Sequence, residues 1–192
     1  ETYFPNILKD LQKFEWADFL MQDIVNLWFG DGRTVGKLHF DPYDNLLVMM
    51  KGSKKFVLFD PSQSPNLYEG HLREAMLEFS SGDNSSQKLS RTKLLDSTSM
   101  VNSPIDLVNP NLKDFPGFSN STPLACEVGE NEALFLPSFW WHEVISQPSP
   151  EEGQNIAVNF WYTPVFNKPF PCASCTKKFN FDYSHLLPML KV

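Results

Sequence analysis

Short apolar runs closed by turn-forming residues recur along most of this chain and commit it to a fold built from strands: VNLWFG, NLLVMMKGS, KKFVLFDP, LACEVGEN, EALFLPS and NIAVNFWYTPV. Runs of this length, rich in Val, Leu, Phe and Trp, suit buried or half-buried strands, and the Gly, Pro, Asn and Ser between them read as turns. The 15 Pro are scattered between the runs rather than massed in one segment, which fits the same pattern. With 192 residues, 42% of them apolar, the chain is long enough to enclose one good hydrophobic core. The expected architecture is one domain over residues 1–192 with an all-β core and peripheral helices.

Three segments fall outside the strand pattern. Residues 1–25 carry apolar positions at near-helical spacing and are expected to form a helical N-terminal segment that gives way to the strand VNLWFG. Residues 80–103, with SSGDNSSQKLS, are Ser-rich and polar and read as an exposed excursion. The tail 166–192 ends in FDYSHLLPML, expected to be a short amphipathic helix that covers the barrel or pairs two copies. Between them, LHFDPYDNLLVMM, the turn KGS and KKFVLFDP form the clearest expected hairpin, with Gly52-Ser53 as its two-residue turn.

A formal charge of −7, from 16 basic and 23 acidic residues, comes with no basic run that could track a phosphate backbone, so nucleic acid is not the expected partner. No apolar segment is long enough to span a bilayer, and no signal pattern opens the chain, so it is expected to work without a membrane in the cytoplasm or nucleus. Cys126, Cys172 and Cys175 are too few for a disulfide framework. The CxxC of PCASC is expected to be a reduced pair in a loop rather than half of a zinc site, since a second ligand pair is missing.

Side chains along a strand alternate faces, so His39 and Asp41 of LHFD share one face, and the same parity carried past Pro42 adds Asn45, Leu47 and Met49. In the expected hairpin Lys54 lies opposite Lys51, Phe56 opposite Met49 and Leu58 opposite Leu47, which puts Lys54 on the face of the His-Asp pair. A lysine there either bends out to solvent or meets a carboxylate ligand. His142, at the end of FLPSFWWH, reads alone as a satisfied core residue. Combined with HxD on another strand it completes a two-imidazole, one-carboxylate facial set, which suits non-haem Fe(II) and leaves open coordination positions. Asn159 interrupts an apolar strand on the face of Ala157 and Trp161, and serves either a neighbouring strand or a ligand. Trp140, Trp141, Phe160 and Trp161 are expected to keep such a site dry.

Taken in order, LHFD, NLLVMMKGSKKFVLFDP, VNPNLKDFPGF, LFLPSFWWHEV and AVNFWY resemble the JmjC oxygenases, the Jumonji-type cupins. The resemblance runs from about Leu27 to Tyr162 and is greatest to the small protein hydroxylases, the lysyl hydroxylases in particular. It implies a double-stranded β-helix (cupin or jelly-roll) barrel, and Fe(II), 2-oxoglutarate and O2 as cofactor and cosubstrates. His39, Asp41 and His142 would hold the metal, Lys54 would pair with the distal carboxylate, and Asn45, Asn159 and Trp161 would line the cosubstrate near its chelating end. The implied reaction is hydroxylation of a protein side chain, lysine favoured, with release of succinate and CO2. Two rivals stand beside it: a non-catalytic JmjC-like binding module, and a tRNA-modifying or histone-directed oxygenase. The sequence departs from the family at two places. Gly36 stands where a Ser or Thr often assists the lysine, and the upstream strands with a cosubstrate-facing Tyr are expected to be largely absent.

Overall fold

The computed structural model describes residues 6–11, 14–80, 88–170, 172 and 174–190. Two four-stranded antiparallel sheets face each other. One has the order β1 (Gln22–Gly30), β10 (Asn155–Tyr162), β3 (Asp44–Lys51), β8 (Ala133–Leu136). The other runs β2 (Val35–His39), β9 (Trp141–Gln147), β4 (Ser53–Phe59), β7 (Leu124–Val128). The chain changes sheet at almost every turn, so each strand pairs with partners distant in sequence, as in an eight-stranded jelly roll. The first strand, β1, is the one that carries VNLWFG, and among the described residues no strand precedes it.

The expected hairpin across Gly52-Ser53 does not form. β3 is hydrogen-bonded to β10 and β8, and β4 to β9 and β7. Lys54 therefore lies opposite Ser146 and Val128, not Lys51. β3 is buried on both of its faces, as a central strand must be, and a strand already flanked on both edges has no edge left for β4. Gly52 instead makes a corner between the sheets. Its φ is +74°, and a Cβ there would sit 2.4 Å from Gln147 O. Asn155, itself buried, pins this corner by donating from Nδ2 to Ser53 O at 2.9 Å and Gln147 O at 2.8 Å.

The faces paired in the expected hairpin meet all the same, but across the sandwich. Leu47 and Met49 from one sheet pack with Phe56, Leu58 and Val128 from the other; full burial of each such side chain contributes about 1.5–3 kcal/mol. A second cluster, Leu38, Phe40, Phe59, Phe139 and Trp141 with Leu67 and Val101, covers the other face of the β2–β9–β4 sheet. A third, with Leu46, Val158, Phe160 and Tyr162, covers the other face of the β1–β10–β3 sheet under Phe14, Ala17 and Leu20.

The peripheral segments depart from expectation. The N-terminal stretch holds one helical turn (Ile7–Asp10) and a 3-10 turn (Glu15–Ala17) before β1 opens at Gln22, and no long helix lies among its described residues. Its apolar residues Phe14, Ala17 and Leu20 reach the sheet without helical continuity. The region read as an irregular excursion is part of a long two-stranded ribbon, β5 (Gly70–Ser80) with β6 (Lys88–Asn102), while residues 81–87 lie outside the described residues. FDYSHLLPML is a 3-10 run over Phe181–Leu190 broken at Tyr183, not an amphipathic α-helix. Tyr183 is fully buried, accepts from Met21 N at 2.9 Å and donates to Thr163 O at 2.5 Å. Cys172 and Cys175 form a disulfide with Cα atoms 5.6 Å apart, which corrects the reduced-pair reading: the loop holds the two residues within bridging distance. No helix among the described residues is long and apolar enough to cross a membrane.

Candidate metal and 2-oxoacid site

His39 ends β2 and His142 lies on β9 directly opposite it in the pairing register. Cross-strand neighbours of this kind put their side chains on one face, and the two rings sit 4.3 Å apart between centroids. Asp41 follows two residues after His39, where the chain has left the strand, and its carbonyl accepts from Phe139 N at 2.8 Å. Asp41 Oδ2 is 3.8 Å from His39 Nε2 and 3.5 Å from His142 Nε2. One ligand atom from each of the three lies within 4.8 Å of the others.

Each imidazole is oriented by the carbonyl two residues before it. His142 Nδ1 is 3.0 Å from Trp140 O, and His39 Nδ1 is 2.5 Å from Lys37 O. A carbonyl only accepts, so each Nδ1 carries the proton and each Nε2 offers a lone pair toward Asp41, the arrangement that holds metal-ligating histidines. Burial, helped by neighbouring His39, pushes the His142 pKa down to about 3, so this ring stays neutral at physiological pH. Burial raises the Asp41 pKa, while His39 pulls it back down. Two imidazole nitrogens and a carboxylate oxygen facing one point fit a divalent non-haem metal with open positions.

A cavity of about 350 Å³ extends from this triad between the sheets. At its far end Lys54 is 7% exposed and donates to Ser146 Oγ at 2.7 Å. Burial lowers its pKa. Near the triad, Asn159 Nδ2 donates to Asn45 Oδ1 at 2.8 Å, and both amides are buried. Asn159 Oδ1 and Trp161 Nε1 are buried without any hydrogen-bond partner. Such groups cost about 1–3 kcal/mol each when left unpaired, and both residues line the cavity. An elongated ligand with an acid group at the lysine end and an acceptor at the triad end would satisfy the Trp161 N–H, while Asn159 Oδ1, an acceptor, calls for a donor.

Residues 1–168 match the family model described as the cupin-like domain. The chain belongs to the cupin-like domain family. It is 31% identical over 163 residues to the human bifunctional peptidase and (3S)-lysyl hydroxylase JMJD7, covering 82% of this chain and 48% of the relative. It is 31% identical over 184 residues to lysine-specific demethylase JMJ32 of Arabidopsis thaliana, covering 92% of this chain and 53% of the relative. To lysine-specific demethylase JMJ31 of the same plant it is 29% identical over 165 residues, covering 85% of this chain and 25% of the relative. The cupin-like domain thus spans about half or less of the length of these relatives. JmjC oxygenases use Fe(II), 2-oxoglutarate and O2, and the His39, Asp41 and His142 set of this cupin-like domain has the donors that Fe(II) takes.

The structure brings His39, Asp41, His142, Lys54, Asn45, Asn159 and Trp161 to one cavity. It does not bring the whole expected aromatic shell there. Trp141 lies in the cluster behind the β2–β9–β4 sheet, with Nε1 donating to Ser64 Oγ at 2.8 Å, Phe160 lies behind the other sheet, and Trp140 packs against the inter-sheet core. Strand parity explains the split, since Trp141 and Phe160 are odd-numbered steps away from His142 and Asn159. Thr34, Ser146 and Asn155 line the cavity too and had no signal in the sequence.

Proposed function

We propose that the domain is an Fe(II)- and 2-oxoglutarate-dependent oxygenase that hydroxylates a protein side chain, lysine favoured. The observation that carries this reading is a two-histidine, one-carboxylate set opening onto a cavity whose far end holds a buried lysine with no carboxylate partner among the described residues. Support for lysine comes from the relatives, whose names place a lysine at the reaction: a lysyl hydroxylase in human and lysine-specific demethylases in the plant.

His39, Asp41 and His142 would hold the iron from one side and leave the other open. Lys54 would pair with the distal carboxylate of 2-oxoglutarate, a charge-assisted contact strengthened by its dry surroundings. The Asn45 amide N–H and the Trp161 N–H would hydrogen-bond the chelating end, which gives the unpartnered Trp161 donor its acceptor. When bound, the metal with 2-oxoglutarate and O2 supplies the oxidising chemistry that places one oxygen atom in a C–H bond and the other in succinate, with release of CO2. The apolar walls Leu47, Phe56 and Val144 offer water no hydrogen-bond partners in that part of the cavity.

The test is succinate formation by purified protein with Fe(II), 2-oxoglutarate and lysine-containing peptides, followed by mass spectrometry of the peptide. Metal-dependent succinate with the mass of one oxygen atom added to a lysine is expected. Absence of metal-dependent succinate under all conditions would leave the domain as a binding module.

A further inference from the structure

We infer, resting on the reading just given, that Ser146 is a second direct donor to the distal carboxylate of the 2-oxoacid, and that Thr34 positions it. Lys54 and Ser146 face each other across the β4–β9 register and project into the same cavity. Ser146 Oγ accepts from Lys54 Nζ at 2.7 Å and from Thr34 Oγ1 at 3.1 Å. A serine hydroxyl has two acceptor lone pairs and one proton. With both lone pairs engaged, its proton is left to donate to an acceptor in the cavity. Thr34 is fixed in turn, because Ser146 N donates to Thr34 O at 3.0 Å. The loop before β2 is therefore tied to β9 through backbone and side chain at one residue.

The lysine has capacity to spare as well. An ammonium carries three protons, and its one side-chain partner among the described residues is Ser146. Two ammonium protons and one hydroxyl proton are then left for a ligand at the Lys54–Ser146 end of the cavity, four residues along β9 from His142, with apolar Leu47, Phe56 and Val144 among its walls. A carboxylate at one end, a short methylene spacer and a chelating 2-oxoacid at the other match that order of donors and walls. No hydroxyl is available from the neighbouring β2 position, where Gly36 lines the same cavity. A Cβ there would meet nothing closer than Val144 Cβ at 3.8 Å, so the space is open but unfilled. Ser146 supplies from β9 what Gly36 does not supply from β2.

The experiment is calorimetric titration of Mn(II)-loaded, oxygen-free protein with 2-oxoglutarate, and with pyruvate as a 2-oxoacid that lacks the distal carboxylate. Ser146→Ala is expected to weaken 2-oxoglutarate binding about tenfold, the worth of one charge-assisted hydrogen bond, and to leave pyruvate unchanged. Thr34→Val is expected to weaken it by a smaller factor, about threefold, because it loosens Ser146 without removing a donor. A Ser146→Ala affinity for 2-oxoglutarate within about twofold of the parent, or an equal loss for both ligands, would overturn the assignment. If Lys54→Ala loses 2-oxoglutarate while Ser146→Ala does not, Ser146 alone is misassigned. If the parent itself binds no 2-oxoglutarate, the oxygenase reading falls and this one falls with it.

Discussion

Lys54 is the residue at which stability and function pull apart. A buried ammonium whose one side-chain partner among the described residues is a hydroxyl costs folding free energy, because a serine does not offset the lost hydration of a charge. Lys54→Met keeps the volume and removes the charge. It is expected to raise the unfolding free energy of the ligand-free domain by about 1 kcal/mol or more in urea titrations while abolishing 2-oxoglutarate binding. A variant that is both less stable and still competent to bind would mean that Lys54 is a structural residue. His39→Ala and His142→Ala each remove one of three ligand atoms and are expected to eliminate Mn(II) binding measured by electron paramagnetic resonance, with the parent binding one ion. At this scale part of the site was legible, because strand parity puts His39 and Asp41 on one face. Lys54 was placed there through a hairpin that does not form, and Asn45, Asn159 and Trp161 entered as cosubstrate contacts through the family resemblance. Ser146, Thr34 and Asn155 were not legible. Their roles come from pairings between strands far apart in sequence, and a Ser or Thr in a strand reads as ordinary polar alternation.

The corner between β3 and β4 shows how an element can be read correctly and joined wrongly. Both strands were visible as apolar runs, and a Gly-Ser step between such runs is shared by a tight hairpin and by a turn that carries the chain to another sheet. What decides is the competition for edges, and β10, β8, β9 and β7 win it. Gly52→Ala is expected to destabilise the domain by about 2 kcal/mol or more, since the residue needs positive φ and a Cβ would strike Gln147 O. A thermal midpoint unchanged from the parent would show that the corner relaxes freely. The β5–β6 ribbon was missed for a related reason: β6 begins within polar, Ser-rich sequence, and its ladder is satisfied by β5 rather than by a core. The tail gave an apolar spacing that suggested a helix, but Pro188 and the anchoring of Tyr183 break it into turns.

For the molecule as a whole, the interior placement of the triad makes stability depend on pH. Folded His142 stays neutral down to about pH 3, whereas an imidazole in the unfolded chain protonates near ~6.5. Below that value the unfolded state binds the extra proton, so the metal-free domain loses stability as pH falls from about 6.5 toward 3, by up to about 1.4 kcal/mol per unit for this group. Asp41 and Glu143, both raised by burial, act in the opposite direction. The His142 contribution is therefore the difference between parent and His142→Gln in urea titrations at pH 7 and pH 5, and a flatter profile is expected for the variant. The jelly-roll barrel was legible as a class through the order of its motifs, while the pairing of its strands across two sheets was not.

The proposed oxygenase requires one arrangement, in which three side chains would hold a metal at one end of the cavity and Lys54 an anion at the other. Titration of 2-oxoglutarate into the oxygen-free domain, with and without Fe(II), and again with Lys54→Ala, tests both ends in one measurement. Binding of one 2-oxoglutarate that requires Fe(II), shows the visible charge-transfer absorption of an iron-chelated 2-oxoacid and is lost in Lys54→Ala is the expected result. Binding that is indifferent to the metal, or that survives without Lys54, would contradict it.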